Sequence, residues 1–184
     1  MFPDATAMGS SIVLLTTVAL ERTVARIAHE ITERNGANNN LALVGIPRGG
    51  VHLARRLGGV LDALWQHPVP IGCLDVSMHR DDIDQRIAPE IHPTTIPFDI
   101  GGKTVVLVDD VLFSGRTVRA AMDALNDFGR PSAIQLAVLI DRGHRELPIK
   151  ADYVGKNVPT SLDERINVSL REDGGEEAVY LEKP

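Results

Sequence analysis

VVLVDDVLFSGRT, residues Val105–Thr117, is the stretch on which the reading of this chain turns. Val105–Val108 is apolar enough to be buried on both faces of a sheet, as a parallel strand must be. Asp109 and Asp110 end that strand, and Ser114-Gly115-Arg116-Thr117 turns into a helix predicted over Thr117–Phe128. In an open α/β sheet, ligands bind beyond the carboxyl ends of the strands, where loops lead into helix N-termini. Adjacent carboxylates at that edge are placed to accept hydrogen bonds from the vicinal hydroxyls of a ribose. A few residues later, free backbone N–H groups and the positive end of a helix dipole favour a phosphate. Gly115 allows close approach, and the Ser114 and Thr117 hydroxyls add donors. Diol acceptors followed by a phosphate cradle match a ribose 5-phosphate. Acidic strand ends also occur in ordinary capped helices and in receiver domains, but a receiver domain has no use for the Ser-Gly-Arg-Thr turn. No G-x-x-x-x-G-K-[ST] occurs, which excludes a P-loop hydrolase.

Outward from this segment the chain alternates between strands and helices. Leu41–Ile46 (LALVGI), Pro70–Ser77, Thr104–Val108 and Ala133–Ile140 read as apolar strands, and Thr17–Arg34 and Val51–Trp65 as helices. That order predicts an α/β fold with a mostly parallel central sheet flanked by helices. The polar stretch from Met78 to Pro97 has no sustained period and reads as a long mobile flap. Ile166–Leu170 and Ala178–Leu181 alternate weakly about Asp173-Gly174-Gly175, which predicts a C-terminal β-hairpin. The division expected is an N-terminal extension over residues 1–16 and a single domain over 17–184.

With 184 residues, 43% hydrophobic and 24% charged, the chain has the make-up of one ordinary globular domain. The formal net charge of −6 argues against whole-molecule attraction to nucleic acid or an anionic membrane, so any such site must be a local basic patch. The first helix offers one. Leu20, Val24, Ile27 and Ile31 form its buried stripe, and Arg22, Arg26, His29 and Glu33 repeat the spacing on the far side. Arg142, Arg145, Lys150 and Lys156 supply a second cluster; solvated helix faces and loop charges are the ordinary explanation for both. The single Cys73 cannot form an intrachain disulfide, which suits a reducing cytosol. Ile12–Leu20 is broken by Thr16 and Thr17 and preceded by Asp4 rather than a basic residue, so it does not read as a targeting signal. No run approaches the roughly 20 apolar residues of a membrane span, and a soluble cytoplasmic protein is expected. Neither H-E-x-x-H nor Cys/His ligand spacing occurs, so no protein-bound zinc is expected.

The segment Val105–Thr117 resembles the phosphoribosyl-diphosphate (PRPP) motif of type I phosphoribosyltransferases. More narrowly, the chain resembles the pyrimidine-operon attenuator proteins of the PyrR family, from about Leu20 into the C-terminal hairpin. The most diagnostic parts are RIAHEI at Arg26–Ile31, RDD at Arg80–Asp82, DDVLFSGRTVRAAMDAL at Asp109–Leu125 and DRGHRELPIKADYVGKNVPTS at Asp141–Ser161. The resemblance implies the type I phosphoribosyltransferase fold and two activities. One is uracil phosphoribosyltransferase catalysis, uracil and PRPP giving UMP and diphosphate. The other is RNA-binding control of the pyrimidine operon by transcription attenuation, responsive to UMP and UTP.

The resemblance also assigns residues. Asp109, Asp110 and Arg80 would be catalytic. Val111, Leu112, Phe113, Ser114, Gly115, Arg116 and Thr117 would cradle PRPP. GIPRGG at Gly45–Gly50 resembles the pyrophosphate loop, with Arg48 and Gly49 on PRPP; the family usually has Thr-Arg-Gly where this chain has Arg48-Gly49-Gly50. Arg142 would lie on substrate, and Val158 would present backbone groups to the uracil edge. Mg²⁺ would arrive with PRPP, not in a protein-only site. Leader RNA would meet Arg22, Arg26, His29, Arg145 and Lys156, on a homodimer or higher oligomer. Two alternatives stay open: a nucleotide-sensing regulator with little or no transferase activity, and a phosphoribosyltransferase for another base.

Overall fold

The computed structural model describes residues 11–77 and 93–184. Strand β1 (Ser11–Thr16) leads directly into helix α1 (Thr17–Asn35). Thr16 ends the strand and caps the helix, its hydroxyl accepting the Ala19 N–H at 3.5 Å. The apolar stripe of α1 is buried at Leu20, Val24, Ile27, Ala28 and Ile31, and Gly36, at φ 67°, stops the helix with its N–H on Thr32 O. Then follow β2 (Leu41–Gly45), α2 (Gly49–Trp65), β3 (Ile71–Cys73), β4 (Thr104–Leu112), α3 (Arg116–Leu125), β5 (Ala133–Asp141) and β6 (Tyr153–Asn157). The chain closes with β7 (Arg165–Ser169), a short 3₁₀ turn at Arg171–Asp173, and β8 (Ala178–Glu182).

Strands β2 to β6 form one parallel sheet in the order β3-β2-β4-β5-β6. Alternate residues face opposite sides, as the period of two requires. Leu41, Leu43, Val106, Val108, Ala137 and Leu139 pack with α1 and α2, whereas Val44, Val105, Leu107, Leu136 and Val138 pack with α3. The sheet is therefore covered on both faces, which is why its strands read as continuous apolar runs. The chain winds from β2 outward to β3, returns to β4 on the other side of β2, and continues outward to β6. The point of reversal lies between β2 and β4, where open α/β sheets bind their ligands.

The predicted strands need three adjustments. β4 continues past Val108 to Leu112, because β5 goes on pairing with it through Leu112↔Asp141 after β2 has left the ladder at Gly45↔Val108. β3 is shorter than Pro70–Ser77. β6, which the sequence did not suggest, is a fifth strand pinned by β5. The C-terminal hairpin is present, but it pairs with β1 in a separate antiparallel sheet of order β1-β8-β7. The end of the segment set apart as an extension thus takes part in a sheet, with Leu15 in the same core as α1 and α2. Most of the expected flap, including Arg80, Asp81 and Asp82, lies outside the described residues. At its far end Thr95 is bridged to Cys73 by two backbone hydrogen bonds of 2.8 Å.

Candidate active site at the β2–β4 reversal

Where β2 leaves the sheet, residues 46–50 fold over the carboxyl end of β4. The Ile46 N–H still donates to Val108 O at 2.9 Å, and α2 begins at Gly49. The loop lies so close to β4 that glycine is required. A Cβ on Gly49 would meet Asp110 Oδ2 at 2.5 Å, and one on Gly50 would collide with the Val108 carbonyl. A Cβ on Gly45 would meet the Cα of Val51 at 2.5 Å. The three glycines of GIPRGG are thus packing requirements as well as places where backbone can face an anion. Arg48 precedes the helix and is exposed.

Asp109 is 7% exposed and Asp110 is half-buried beneath this loop. Each carboxylate is steadied by a backbone donor: Asp110 N to Asp109 Oδ1 at 2.9 Å, and Val111 N to Asp110 Oδ1 at 2.7 Å. Burial pushes the Asp110 carboxyl above the ordinary carboxylate range; the Val111 hydrogen bond opposes this, and the negative charge of Asp173 adds to it. A carboxylate in that state gains from a donor or cation brought in by a ligand.

The cradle follows. Leu112 is buried against the α3 side, and Gly115, at φ 91°, enters α3 with no side-chain cap and no acidic residue in the first turn. The helix dipole is left for a ligand anion. Ser114 Oγ accepts the Arg116 N–H at 3.3 Å, and Arg116 is paired to Glu146 at 2.7 Å. The loop after β5 supports the cradle from behind. Ser114 O accepts the N–H groups of Glu146 and Leu147 at 3.0 and 3.2 Å, and a Cβ on Gly115 would meet Ile149 at 3.3 Å. Asp109, Asp110, the loop at Arg48 and Gly49, and the turn from Phe113 to Thr117 are brought to one sheet edge.

Three further sequence-predicted residues are held by contacts within the fold. Arg142 is 7% exposed: its guanidinium stacks 4.3 Å over the Phe113 ring, donates to Thr160 Oγ1 at 3.0 Å and donates to Ser161 O at 2.9 Å. It therefore ties the cradle to the segment after β6, and burial lowers its pKa. Val158 is buried, and its N–H donates to Asp141 O at 2.8 Å. Arg145 folds inward. It donates to the carbonyls of Phe113, Gly143 and Ile149 at 2.8, 3.2 and 3.0 Å and pairs with the Asp141 carboxylate. Thr160, Ser161 and Asp141 were missed as supports, because their role comes from tertiary contacts that no local motif signals.

Arg22, Arg26 and His29 are exposed together on α1. Arg26 also reaches the edge strand β6, donating to Gly155 O at 2.5 Å, and pairs with Glu30. Lys156, exposed on β6, donates to Leu14 O at 3.0 Å. The helix face and Lys156 are thus neighbours across a close α1–β6 contact, where a Cβ on Gly155 would meet Thr23 at 2.7 Å.

A family model for the phosphoribosyl transferase domain matches residues 13–171. The bifunctional protein PyrR of Roseiflexus sp. (strain RS-1) is 60% identical over 164 residues, 88% of this chain and 90% of the relative. The bifunctional protein PyrR of Listeria monocytogenes serotype 4b (strain F2365) is 53% identical over 181 residues, 96% of this chain and 99% of the relative. Among solved structures, hypoxanthine phosphoribosyltransferase from Trypanosoma cruzi, in complex with the product IMP, superposes with a TM-score of 0.70 at 21% identity, over 99% of this chain and 98% of that one. That likeness bears out the type I phosphoribosyltransferase fold. On the matched domain and on relatives more than half identical along nearly their whole length, this chain belongs to the phosphoribosyltransferase family and, within it, to the PyrR proteins.

Proposed function

We propose that the protein regulates the pyrimidine operon by binding its leader RNA in response to uridine nucleotides, and that it also converts uracil and PRPP to UMP and diphosphate. The observation that carries the transferase reading is the convergence of Asp109 and Asp110, the glycine loop against them and the uncapped N-terminus of α3 at the β2–β4 reversal. Bifunctional relatives at 53–60% identity support both halves.

In this reading, Asp109 and Asp110 accept hydrogen bonds from the ribose 2′- and 3′-hydroxyls, and the turn Phe113–Thr117 with the start of α3 holds the 5-phosphate. The backbone of Arg48 and Gly49 faces the departing diphosphate. The segment held by Arg142 seats the uracil, with the Val158 carbonyl on its polar edge. Displacement at the anomeric carbon needs no side-chain nucleophile; these residues supply position and charge. Asp109 and Asp110 are hard oxygen donors at the sheet edge, and their carboxylates would help to hold a Mg²⁺ carried by PRPP. Among the described residues no group of three His, Cys, Asp or Glu could hold a metal alone. When bound, the cation supplies charge neutralisation at the leaving group.

Arg22, Arg26, His29 and Lys156 form the RNA face, which a homo-oligomer would present more than once. With a net charge of −6, part of the binding rests on exposed loop bases as well as phosphates. Incubation with PRPP, Mg²⁺ and each of uracil, orotate, hypoxanthine and adenine tests the enzyme reading: UMP forms from uracil alone. UMP absent under every condition would leave a nucleotide-sensing regulator, and turnover of another base would reassign the substrate.

A further inference from the structure

The turn that forms the cradle is gripped from behind by two of its carbonyls. Phe113 O accepts from Arg145 Nη1 at 2.8 Å, and Ser114 O accepts the N–H groups of Glu146 and Leu147 at 3.0 and 3.2 Å. The only cis peptide among the described residues is Pro47-Arg48, so the units joining residues 113–114 and 114–115 are trans. In a trans peptide the C=O and the N–H point in opposite directions. Two carbonyls turned back onto the loop therefore turn the N–H groups of Ser114 and Gly115 away from it, as a phosphate in the cradle requires. Hydrogen bonds made at the two ends of one peptide unit strengthen each other. A phosphate accepting from Ser114 and Gly115 thus makes Phe113 O and Ser114 O better acceptors and tightens the hold of residues 145–147.

The same loop reaches the strand that carries Lys156. The Arg145 guanidinium, mostly buried, also pairs with the Asp141 carboxylate. Asp141 stands opposite Asn157 in the β5–β6 ladder, Ile140 stands opposite Lys156, and Asp141 O accepts the Val158 N–H at 2.8 Å. One side chain thus touches the cradle on one side and the end of the ladder beside Lys156 on the other. The loop opens in the left-handed region at Gly143 and His144, φ 81° and 59°. His144 adopts that conformation at a cost and is held in it by Nε2, which donates to Thr160 O at 2.5 Å. Glu146 adds a side-chain link to the start of α3, its carboxylate 2.7 Å from Arg116 Nε.

We propose that residues 145–149 are the relay through which a uridine nucleotide in the cradle raises the affinity of the RNA face, with Arg145 as the positioning residue at its centre. The relay rests on the regulatory reading above and adds to it the contacts that carry the effect.

The quantity that tests it is a ratio: affinity for a transcript of the pyrimidine-operon leader with saturating UMP, divided by affinity without UMP. That ratio measures the coupling and not either basal affinity. Filter binding on the full chain should give about tenfold, and equilibrium dialysis of UMP with and without saturating transcript should give the same factor, as linkage requires. Arg145→Lys keeps the charge but loses the fork that spans Phe113 O and Asp141, so the ratio falls to about twofold or less. Glu146→Gln, at an exposed site whose change threatens no core, lowers the ratio in the same direction and by less. Glu30→Gln removes the partner of Arg26 on α1, outside the loop, and changes RNA affinity equally with and without UMP. A parent ratio kept by both Arg145→Lys and Glu146→Gln overturns the relay and leaves nucleotide sensing standing by another route. A ratio lowered as far by Glu30→Gln overturns it too, because the loss is then not specific to the loop. A parent whose RNA affinity ignores UMP overturns the regulatory reading and the relay with it.

Discussion

Gly49 rests directly on the carboxylate of Asp110, close enough that a Cβ at residue 49 would lie 2.5 Å from Oδ2 and 2.9 Å from the Asp110 Cβ. The contact leaves no room for a side chain at residue 49. Gly49→Ala must move either the loop or Asp110, and a displacement of about 1 Å in a positioning group costs about 10²-fold. Steady-state kinetics of UMP formation should show kcat/KM for PRPP falling by that order. PRPP kinetics equal to the parent's would show that the contact shapes the loop without serving the reaction.

Arg142 ties the turn after β4 to the segment after β6, stacked on Phe113 and hydrogen-bonded to Thr160 and Ser161. Lysine cannot stack and fork at once. Arg142→Lys should therefore raise KM for uracil about tenfold, as expected when two hydrogen bonds to a buried charge are lost. KM for PRPP should move less, because the cradle keeps its support from Arg145 and residues 146–147. Equal effects on both substrates would mean that Arg142 only stabilises the fold.

The basic residues divide by what holds them. Arg26→Ala and Lys156→Ala remove exposed charges from the α1–β6 face and should weaken leader-RNA binding while leaving UMP synthesis nearly intact. Each should also flatten the dependence of log K on log salt by about 0.7 for one lost single-strand phosphate contact. Arg145→Ala should behave differently: it frees the Phe113 carbonyl and the Asp141 carboxylate, so UMP synthesis falls together with RNA binding. Retained UMP synthesis in Arg145→Ala would return that residue to the RNA face alone. Filter binding and a UMP assay on the same preparations separate the outcomes.

What was legible in the sequence is what hydrophobic period and turn chemistry encode. The buried runs at Leu41–Ile46, Thr104–Val108 and Ala133–Ile140 announced the parallel sheet, and the glycine turn at Ser114–Thr117 the start of α3. The extension of β4 through Asp109–Leu112 was hidden, because that stretch is held by the β5 ladder and its carboxylates look like a strand end. β6 was hidden for the same reason: Gly155, Lys156 and Asn157 carry no strand pattern, and the partner strand alone defines them. Charge signs were readable, but directions were not. Arg142 and Arg145 look like surface cations in DRGHREL, and only the carbonyls of residues 113, 143, 149 and 161 explain why they turn inward.

Arg56 joins the antiparallel sheet to the main domain. From α2 it pairs with Glu172 of the 3₁₀ turn, donating at 2.8 and 2.6 Å, and with Glu177 ahead of β8. Arg171 completes the network on Glu177 at 3.1 Å and on Glu21 of α1 at 2.8 Å. The Arg56 hydrogen bonds pull the Glu172 carboxyl from its ordinary 4.5 down to about 2, against the opposing effect of burial. Burial draws Glu177 upward, but Arg56 and Arg171 outweigh it and leave it below the ordinary value. Carboxyls lowered on folding contribute stability that is fully present above their unfolded pKa and is lost as the pH falls toward the folded one. The attachment should therefore hold at neutral pH and weaken between about pH 4.5 and about pH 2. Arg56→Ala leaves buried Glu177 with Arg171 alone and should cost about 2 kcal/mol, or roughly 5 °C in Tm for a domain of this size. Thermal melts from pH 7 to pH 2 should show the gap between parent and variant closing as Glu172 and Glu177 take up protons. A gap that stays constant across that range would show that Arg56 stabilises by packing and not by its pairing with the two carboxylates.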